Sequence, residues 1–205
     1  MRIPYRLCSG PLELRCFRPD DIVRVRPVIE ANIDHLRPFM DWVDDFPPQD
    51  TELLSILLGF RGRFDLEQDY TFGAFDAGGA YIGGCGLHPR VGPGGIEIGY
   101  WVARDHLRQG LASRMVRVLT QTAFRFLPVA RVEIQVDVDN WASLSIPEKQ
   151  GFVREGVRRR KFPTRGELKD VVAFSMIREE LASSPCGAIE FEAFDGLDRP
   201  LAVSS

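Results

Sequence analysis

The sequence predicts a mixed α/β (α+β) domain, a central and mostly antiparallel sheet of about seven strands with helices on both faces. Two observations carry that expectation. The apolar runs at 70–76, 80–88 and 96–102 are separated by glycine-rich connections short enough to join antiparallel neighbours. A helix-length segment, 109–127, then lies between 96–102 and a strand at 131–138, and a crossover of that length joins parallel strands.

Each element has its own signal. Residues 12–18 (LELRCFR) alternate apolar and polar, as a half-buried strand does. Pro19, Asp20 and Asp21 open a helix that runs to about His35, with carboxylates where the positive end of the helix dipole favours them. Residues 37–49 are rich in proline and aromatics and read as a loop or a short broken helix. A second helix, from Asp50 or Thr51 to about Glu67, carries Leu53, Leu54, Leu57, Leu58 and Phe60 at helical spacing. Beyond 131–138 come a short helix ending near Gln150 and strands at 152–159 and 170–178. The principal domain is expected over residues 10–182.

The tail, residues 183–205, reads as an appendage. Ile189, Phe191 and Ala193 alternate with Glu190, Glu192 and Phe194, and Asp195-Gly196 forms a favoured two-residue turn. A C-terminal β-hairpin outside the core is predicted. An isolated two-stranded hairpin is marginal in water, so it should dock on the domain or on a second subunit, which leaves a homodimer open.

Composition excludes several classes. Hydrophobic residues make up 44% and charged residues 27%, and the formal net charge is −3. That balance gives no basic surface for general nucleic-acid binding. The run Arg158, Arg159, Arg160, Lys161 reads first as a solvated strand end. Cys8, Cys16, Cys85 and Cys186 are scattered and form no C-x-x-C pair, so no metal site is expected and reduced thiols are the default. The first residues lack the apolar stretch of a signal peptide, and no run approaches the roughly 20 apolar residues that span a bilayer. A cytoplasmic protein without membrane partners is the expectation.

The segment IEIGYWVARDHLRQGLAS, residues 96–113, carries the first chemistry. A strand ends near Val102 and a helix begins near Gln109, with Gly110 and Ala112 in its first turn. Small residues there let backbone N–H groups approach a ligand, and the helix start forms an anion site suited to a pyrophosphate. Arg104 and Arg108 add positive charge. A tight helix start packed on a sheet would leave the same signature.

The segment DVDNWASLSIPEKQGFVREG, residues 137–156, resembles the N-x-x-S…G-F-x-x-E-G pattern of the GNAT acyltransferase superfamily, and specifically its Rim-type branch, which acetylates ribosomal-protein N-termini. Asn140, Ser143, Gly151, Phe152, Glu155 and Gly156 fall in register. Residues 97–101 (EIGYW) look like the strand before the pyrophosphate loop, 35–42 (HLRPFMDW) like the substrate-side loop, and Asp170 also matches.

The resemblance implies a GNAT fold in which the strand at 96–102 splays from the strand at 131–138, with acetyl-CoA, or another acyl-CoA, in the opening. Backbone groups of Trp101, Val102 and Ala103 would pair with the pantetheine arm. The turn through Arg108, Gln109, Gly110, Leu111, Ala112 and Ser113 would hold the pyrophosphate, and Asn140 would hydrogen-bond the pantetheine end or the adenine-side backbone of the cofactor. Ser143 would protonate the departing thiolate. Direct attack of an amine on a thioester also needs a proton acceptor and donors for the oxyanion. Glu97 is the candidate acceptor, through a water, although it reads equally as a structural carboxylate. Phe39, Trp42 and Tyr100 are candidates to shape the acceptor pocket, or are simply core. The acceptor is a protein N-terminus or a small amine; a CoA-binding protein with little catalysis is the third reading.

Three departures from the pattern stand out. The pyrophosphate motif begins at Leu107, with Arg108 where glycine is common. Phe162 occupies a position where the resemblance implies a glutamate. Pro147 would cost roughly 3 kcal/mol inside a helix begun at Trp141. The short helix is therefore predicted to start late, with Ser145 and Glu148 as a capping box, or to be distorted from Ser143 to Pro147.

Overall fold

The computed structural model describes residues 3–47, 49–164 and 166–202. Pro48 of the aromatic loop and residues 203–205 of the tail lie outside the described residues.

Among the described residues ten strands form one sheet in the order β10-β9-β1-β2-β3-β4-β5-β6-β8-β7. In chain order they are β1 (Arg6–Ser9), β2 (Leu12–Arg15), β3 (Tyr70–Phe75), β4 (Tyr81–His88), β5 (Gly95–Val102), β6 (Arg131–Asp137), β7 (Val153–Thr164), β8 (Glu167–Ile177), β9 (Glu192–Phe194) and β10 (Pro200–Leu201). Among the described residues only β5 and β6 pair in parallel, joined by the crossover helix α3 (Leu111–Phe126). The other helices are α1 (Ile22–Leu36), α2 (Asp50–Asp65) and α4 (Trp141–Lys149).

Three strands exceed the seven expected. β1 pairs with β2 through a tight turn in which Gly10 takes φ 55°, a conformation that glycine adopts without steric cost. Its alternation is short, with only Leu7 and Ser9 buried, so it is weakly marked in the sequence. The other two, β9 and β10, form the C-terminal hairpin. Phe194 stands opposite Pro200, so the connection is a loop over residues 195–199 closed by Asp195, not a two-residue turn.

That hairpin extends the sheet instead of standing outside it. β9 pairs with β1 of its own chain, Leu7 opposite Ala193, and both side chains are buried. The segment before it is also core: Cys186 is fully buried, and the buried Gln121 of α3 reaches the carbonyls of Cys186, Gly187 and Ile189. The tail is part of the domain, because a lone hairpin gains from the free edge of β1 what it lacks alone.

α3 and α4 cover one face of the sheet. Leu87, Ile96, Ile98 and Val102 pack there against Met115, Val116 and Leu119. α1 and the first turns of α2 cover the other, where Val25, Ile29, Leu53 and Leu57 meet Phe17, Phe75 and Tyr81. The loop over 37–47 contains one short 3-10 turn, Asp41–Val43, and lies on this second side. Among the described residues no helix is long and apolar enough to cross a membrane. All four cysteines are free.

Candidate active site

The parallel pairing of β5 and β6 covers three residue pairs, from Gly95 with Arg131 to Glu97 with Glu133. β6 then continues beside β8 as far as Asp137, while β5 runs on to Val102 with only β4 at its side. The two strands separate immediately after Glu97. Ala103 donates its N–H to Ile82 O at 2.9 Å, on the β4 side. By strand alternation, Ile98, Tyr100 and Val102 turn their peptide groups into the gap. Those three residues, rather than Trp101 and Ala103, offer an edge to an extended ligand.

A cavity of ≈ 690 Å³ passes through this gap. Tyr100, Asn140 and Ser143 line it on the α3/α4 face, and Glu97, Trp101, Phe39 and Trp42 on the α1/α2 face. Phe162 and Pro163 contribute an apolar wall, so the position where a glutamate was implied faces the cavity.

On the α3/α4 face, α4 starts at Trp141 and runs through Pro147, against the expectation of a late or distorted start. Asn140 Oδ1 accepts from Ser143 N–H at 3.2 Å and caps the helix. Pro147 removes the donor to the carbonyl four residues back, that of Ser143. The Tyr100 hydroxyl stands 3.4 Å from that oxygen and 2.9 Å from Ser143 Oγ, so the lost partner is replaced from β5. Ser145 Oγ donates to Ala142 O and caps nothing. Burial pushes the Tyr100 phenol up to about 12, against the lowering effect of the Ser143 bond. Tyr100 therefore belongs with Ser143, on the face opposite Phe39 and Trp42.

On the α1/α2 face the sheet has a glycine floor. Gly84, Gly86 and Gly99 carry no side chain where a Cβ would meet Trp101 Nε1 at 2.8 Å, His88 Nε2 at 2.7 Å and His88 Nε2 at 3.3 Å respectively. The rings of Trp101 and His88 fill the space over that floor. Trp101 contacts Trp42 at 6.0 Å and Tyr81 at 5.8 Å between ring centroids. Glu97 is 5% exposed, with Oε1 on Arg90 at 2.5 Å and Oε2 on Gln135 Nε2 at 2.8 Å. Both of its oxygens are engaged at the foot of the gap.

His88 was not singled out from sequence. It stands opposite Glu97 in the β4–β5 register and lines the same cavity. Its Nδ1 bonds the Asp69 carboxylate at 2.9 and 3.0 Å. Burial acts to raise the Asp69 carboxyl, but the His88 and Thr71 bonds prevail and hold it below its ordinary value. The signal was a register: with the turn at Gly92–Gly95, His88 falls beside Glu97 on one face.

Arg108, Gln109, Gly110, Leu111, Ala112 and Ser113 lie outside the cavity lining, at the N-terminus of α3. Gly110 is the N-cap at φ 76° and no side chain caps the helix. The first-turn N–H groups are thus available to an anion. Arg108 holds φ 61°, a left-handed conformation that explains why glycine suits this position. Leu107 is 41% exposed and supplies no charge. In the basic run, Arg158 pairs with the buried Glu133 at 3.0 Å, while Arg159, Arg160 and Lys161 remain exposed.

An open strand edge, a through-going cavity and an uncapped helix start define an acyl-CoA-dependent transferase of mixed α/β architecture. The family model described as "Acetyltransferase (GNAT) domain" matches residues 12–153, and the chain belongs to that family. YoaA of Bacillus subtilis (strain 168), an uncharacterized N-acetyltransferase, is 33% identical over 163 residues, 80% of this chain and 84% of the relative. YdaF of the same organism, provisionally named a ribosomal N-acetyltransferase, is 28% identical over 175 residues, 82% and 92% of the two chains. Among solved structures, RimJ of Mycobacterium smegmatis in complex with CoA-disulfide aligns with TM-score 0.77 and 25% identity, covering 90% of each chain. RimL, a ribosomal L7/L12 acetyltransferase in complex with coenzyme A, shares the fold with TM-score 0.75 and 22% identity, over 86% of this chain and 98% of its own.

Proposed function

We propose that the protein transfers an acetyl group from acetyl-CoA to a primary amine, most simply the α-amino group of a protein N-terminus. The observation that carries this reading is the cavity through the β5/β6 gap, with hydroxyls on one face and proton-accepting groups on the other. Rim-type relatives in sequence and fold support the acceptor class, and structures of related fold with coenzyme A support the donor.

In this arrangement the pyrophosphate lies on the α3 start beside Arg108, and the pantetheine arm runs along the open edge of β5. The thioester carbonyl meets the peptide N–H groups of Tyr100 or Val102, whose fixed dipoles stabilise the developing oxyanion. The amine arrives from the α1/α2 side past Phe39, Trp42 and Trp101. Its proton leaves toward that face, where Glu97 and His88 border the cavity. Ser143, paired with Tyr100, gives a proton to the leaving thiolate.

A small-molecule amine is the second acceptor reading. It is favoured by the apolar wall that Phe46, Ile56 and Phe60 add to the cavity, which suits a compact amine. Incubation with acetyl-CoA or succinyl-CoA and panels of N-terminal peptides and small amines, followed by free-thiol release and product mass, separates the readings. Peptide acetylation at the α-amine supports the first. Turnover of small amines alone replaces it with the second. CoA binding without turnover of either panel removes both.

A further inference from the structure

Resting on the acyl-transfer reading above, we propose that His88, oriented by Asp69, is the group that takes the proton from the incoming amine, and that Glu97 positions its surroundings. Three observations converge on this. With Nδ1 bonded to both Asp69 oxygens at 2.9 and 3.0 Å, the imidazole carries its proton on Nδ1 and presents a lone pair at Nε2. The ring occupies the space over the glycine floor: a Cβ at Gly86 would come within 2.6 Å of Cε1 and 2.7 Å of Nε2. No hydrogen bond holds Nε2 among the described residues, and the ring borders the cavity beside Gly99 and Glu97.

Glu97 differs in each respect. Its oxygens are bonded to Arg90 and Gln135, and accepting a proton means breaking an ion pair at 2.5 Å. Its negative charge instead stabilises the imidazolium that forms directly across the β4–β5 ladder. The charged and titratable groups facing His88 are Asp69 from the loop before β3, Glu97 from β5 and Arg90 from the loop after β4. A histidine supported by a carboxylate is a general base of ordinary design.

The step balances as follows. The ammonium gives one proton to His88 Nε2. The neutral amine attacks, the C–N bond forms and the C–S bond breaks. The nitrogen loses a second proton as the thiolate gains one through Ser143. The products are the amide and CoA thiol, and His88 releases its proton to solvent.

The test uses the full chain, acetyl-CoA and whichever amine the parent protein turns over. His88→Gln keeps a hydrogen bond to Asp69 but no base, and is expected to lower kcat by about 100-fold or more with the KM for acetyl-CoA unchanged. His88→Ala should fall similarly and regain at least about tenfold with added imidazole, a rescue that a structural role does not give. Asp69→Asn should fall less, and Glu97→Gln less than His88→Gln. Circular dichroism checks that each variant is folded, and His88→Gln decides if His88→Ala is not. A His88→Gln protein within about threefold of the parent, a deeper loss in Glu97→Gln, or a folded His88→Ala without imidazole rescue overturns the proposal. An inactive parent would overturn the acyl-transfer reading itself, whereas an active parent with active His88→Gln overturns His88 alone.

Discussion

The Tyr100 hydroxyl lies 2.9 Å from Ser143 Oγ and 3.4 Å from the Ser143 carbonyl, the oxygen that Pro147 deprives of its helical donor. One phenol thus joins β5 to α4 across the gap, completes a helix that carries an internal proline, and orients the hydroxyl proposed to protonate the thiolate.

Tyr100→Phe should therefore cost about 1–3 kcal/mol of stability, the range for a buried acceptor left unpaired. Pro147→Ala restores an N–H donor to Ser143 O. The Tyr100→Phe cost should be smaller in the Pro147→Ala background, measured as a coupling energy from urea unfolding of the four proteins. Equal costs in both backgrounds would show that Tyr100 does not stand in for the missing donor.

Arg108 bears on cofactor binding at the α3 start. Arg108→Gly removes a left-handed strain of about 1 kcal/mol, offset in part by the greater unfolded freedom of glycine. Its stability should stay within about 1 kcal/mol of the parent. Losing the guanidinium should raise the KM for acetyl-CoA about tenfold, the equivalent of one charge-assisted hydrogen bond. Arg108→Ala, which keeps the strain, should be less stable than Arg108→Gly at a similar KM. Thermal unfolding and initial rates at fixed salt check both.

Removing residues after Ser183 should destabilise the fold. It leaves Gln121 of α3 without the carbonyls of Cys186, Gly187 and Ile189 and bares the β1 edge. Gln121→Met, with the tail in place, should cost about 1–3 kcal/mol because it strands the same carbonyls. An unchanged melting temperature in the truncated protein would show that the tail is dispensable to the core.

Asp21, fully buried, meets Arg15 through two bonds of 2.7 and 2.6 Å at the entrance to α1. Burial acts to raise its carboxyl, and the bonds from Arg15 and the Arg18 N–H override it and hold it below the ordinary 3.8. A depressed folded value gives stability that is present above the unfolded value and lost as pH falls through the folded one. Urea unfolding of the parent should show a loss of stability below about pH 4. Asp21→Asn should cost about 1–3 kcal/mol at neutral pH, because Arg15 loses its two buried bonds and keeps only the ion pair to Glu13 at 3.2 Å, and should lack that part of the acid loss.

Much of the fold was legible because its signals are local. Glycine turns marked β3, β4 and β5, and the length of the segment after Val102 marked α3 and the parallel crossing. β1 was missed because four residues with two buried positions give too little alternation. The tail hairpin was legible as a hairpin, but its docking depends on β1 and Gln121, both more than 60 residues away in sequence. Pro147 misled for the same reason, since the donor that replaces its N–H comes from β5.

The sequence by itself determined that a strand, a small-residue turn and a helix stand together from Glu97 to Ser113, and that a second segment from Asn140 to Gly156 resembles the pattern of the GNAT superfamily. Those features depend on residue type and spacing along the chain. Only the tertiary structure decided which groups share the cavity: it engaged Glu97 with Arg90 and Gln135, turned Tyr100 toward Ser143, and set His88, bonded to Asp69, over the glycine floor. The physical reason is register. Which face a strand residue takes, and what lies opposite it, is fixed by pairing with distant strands and not by its neighbours in sequence.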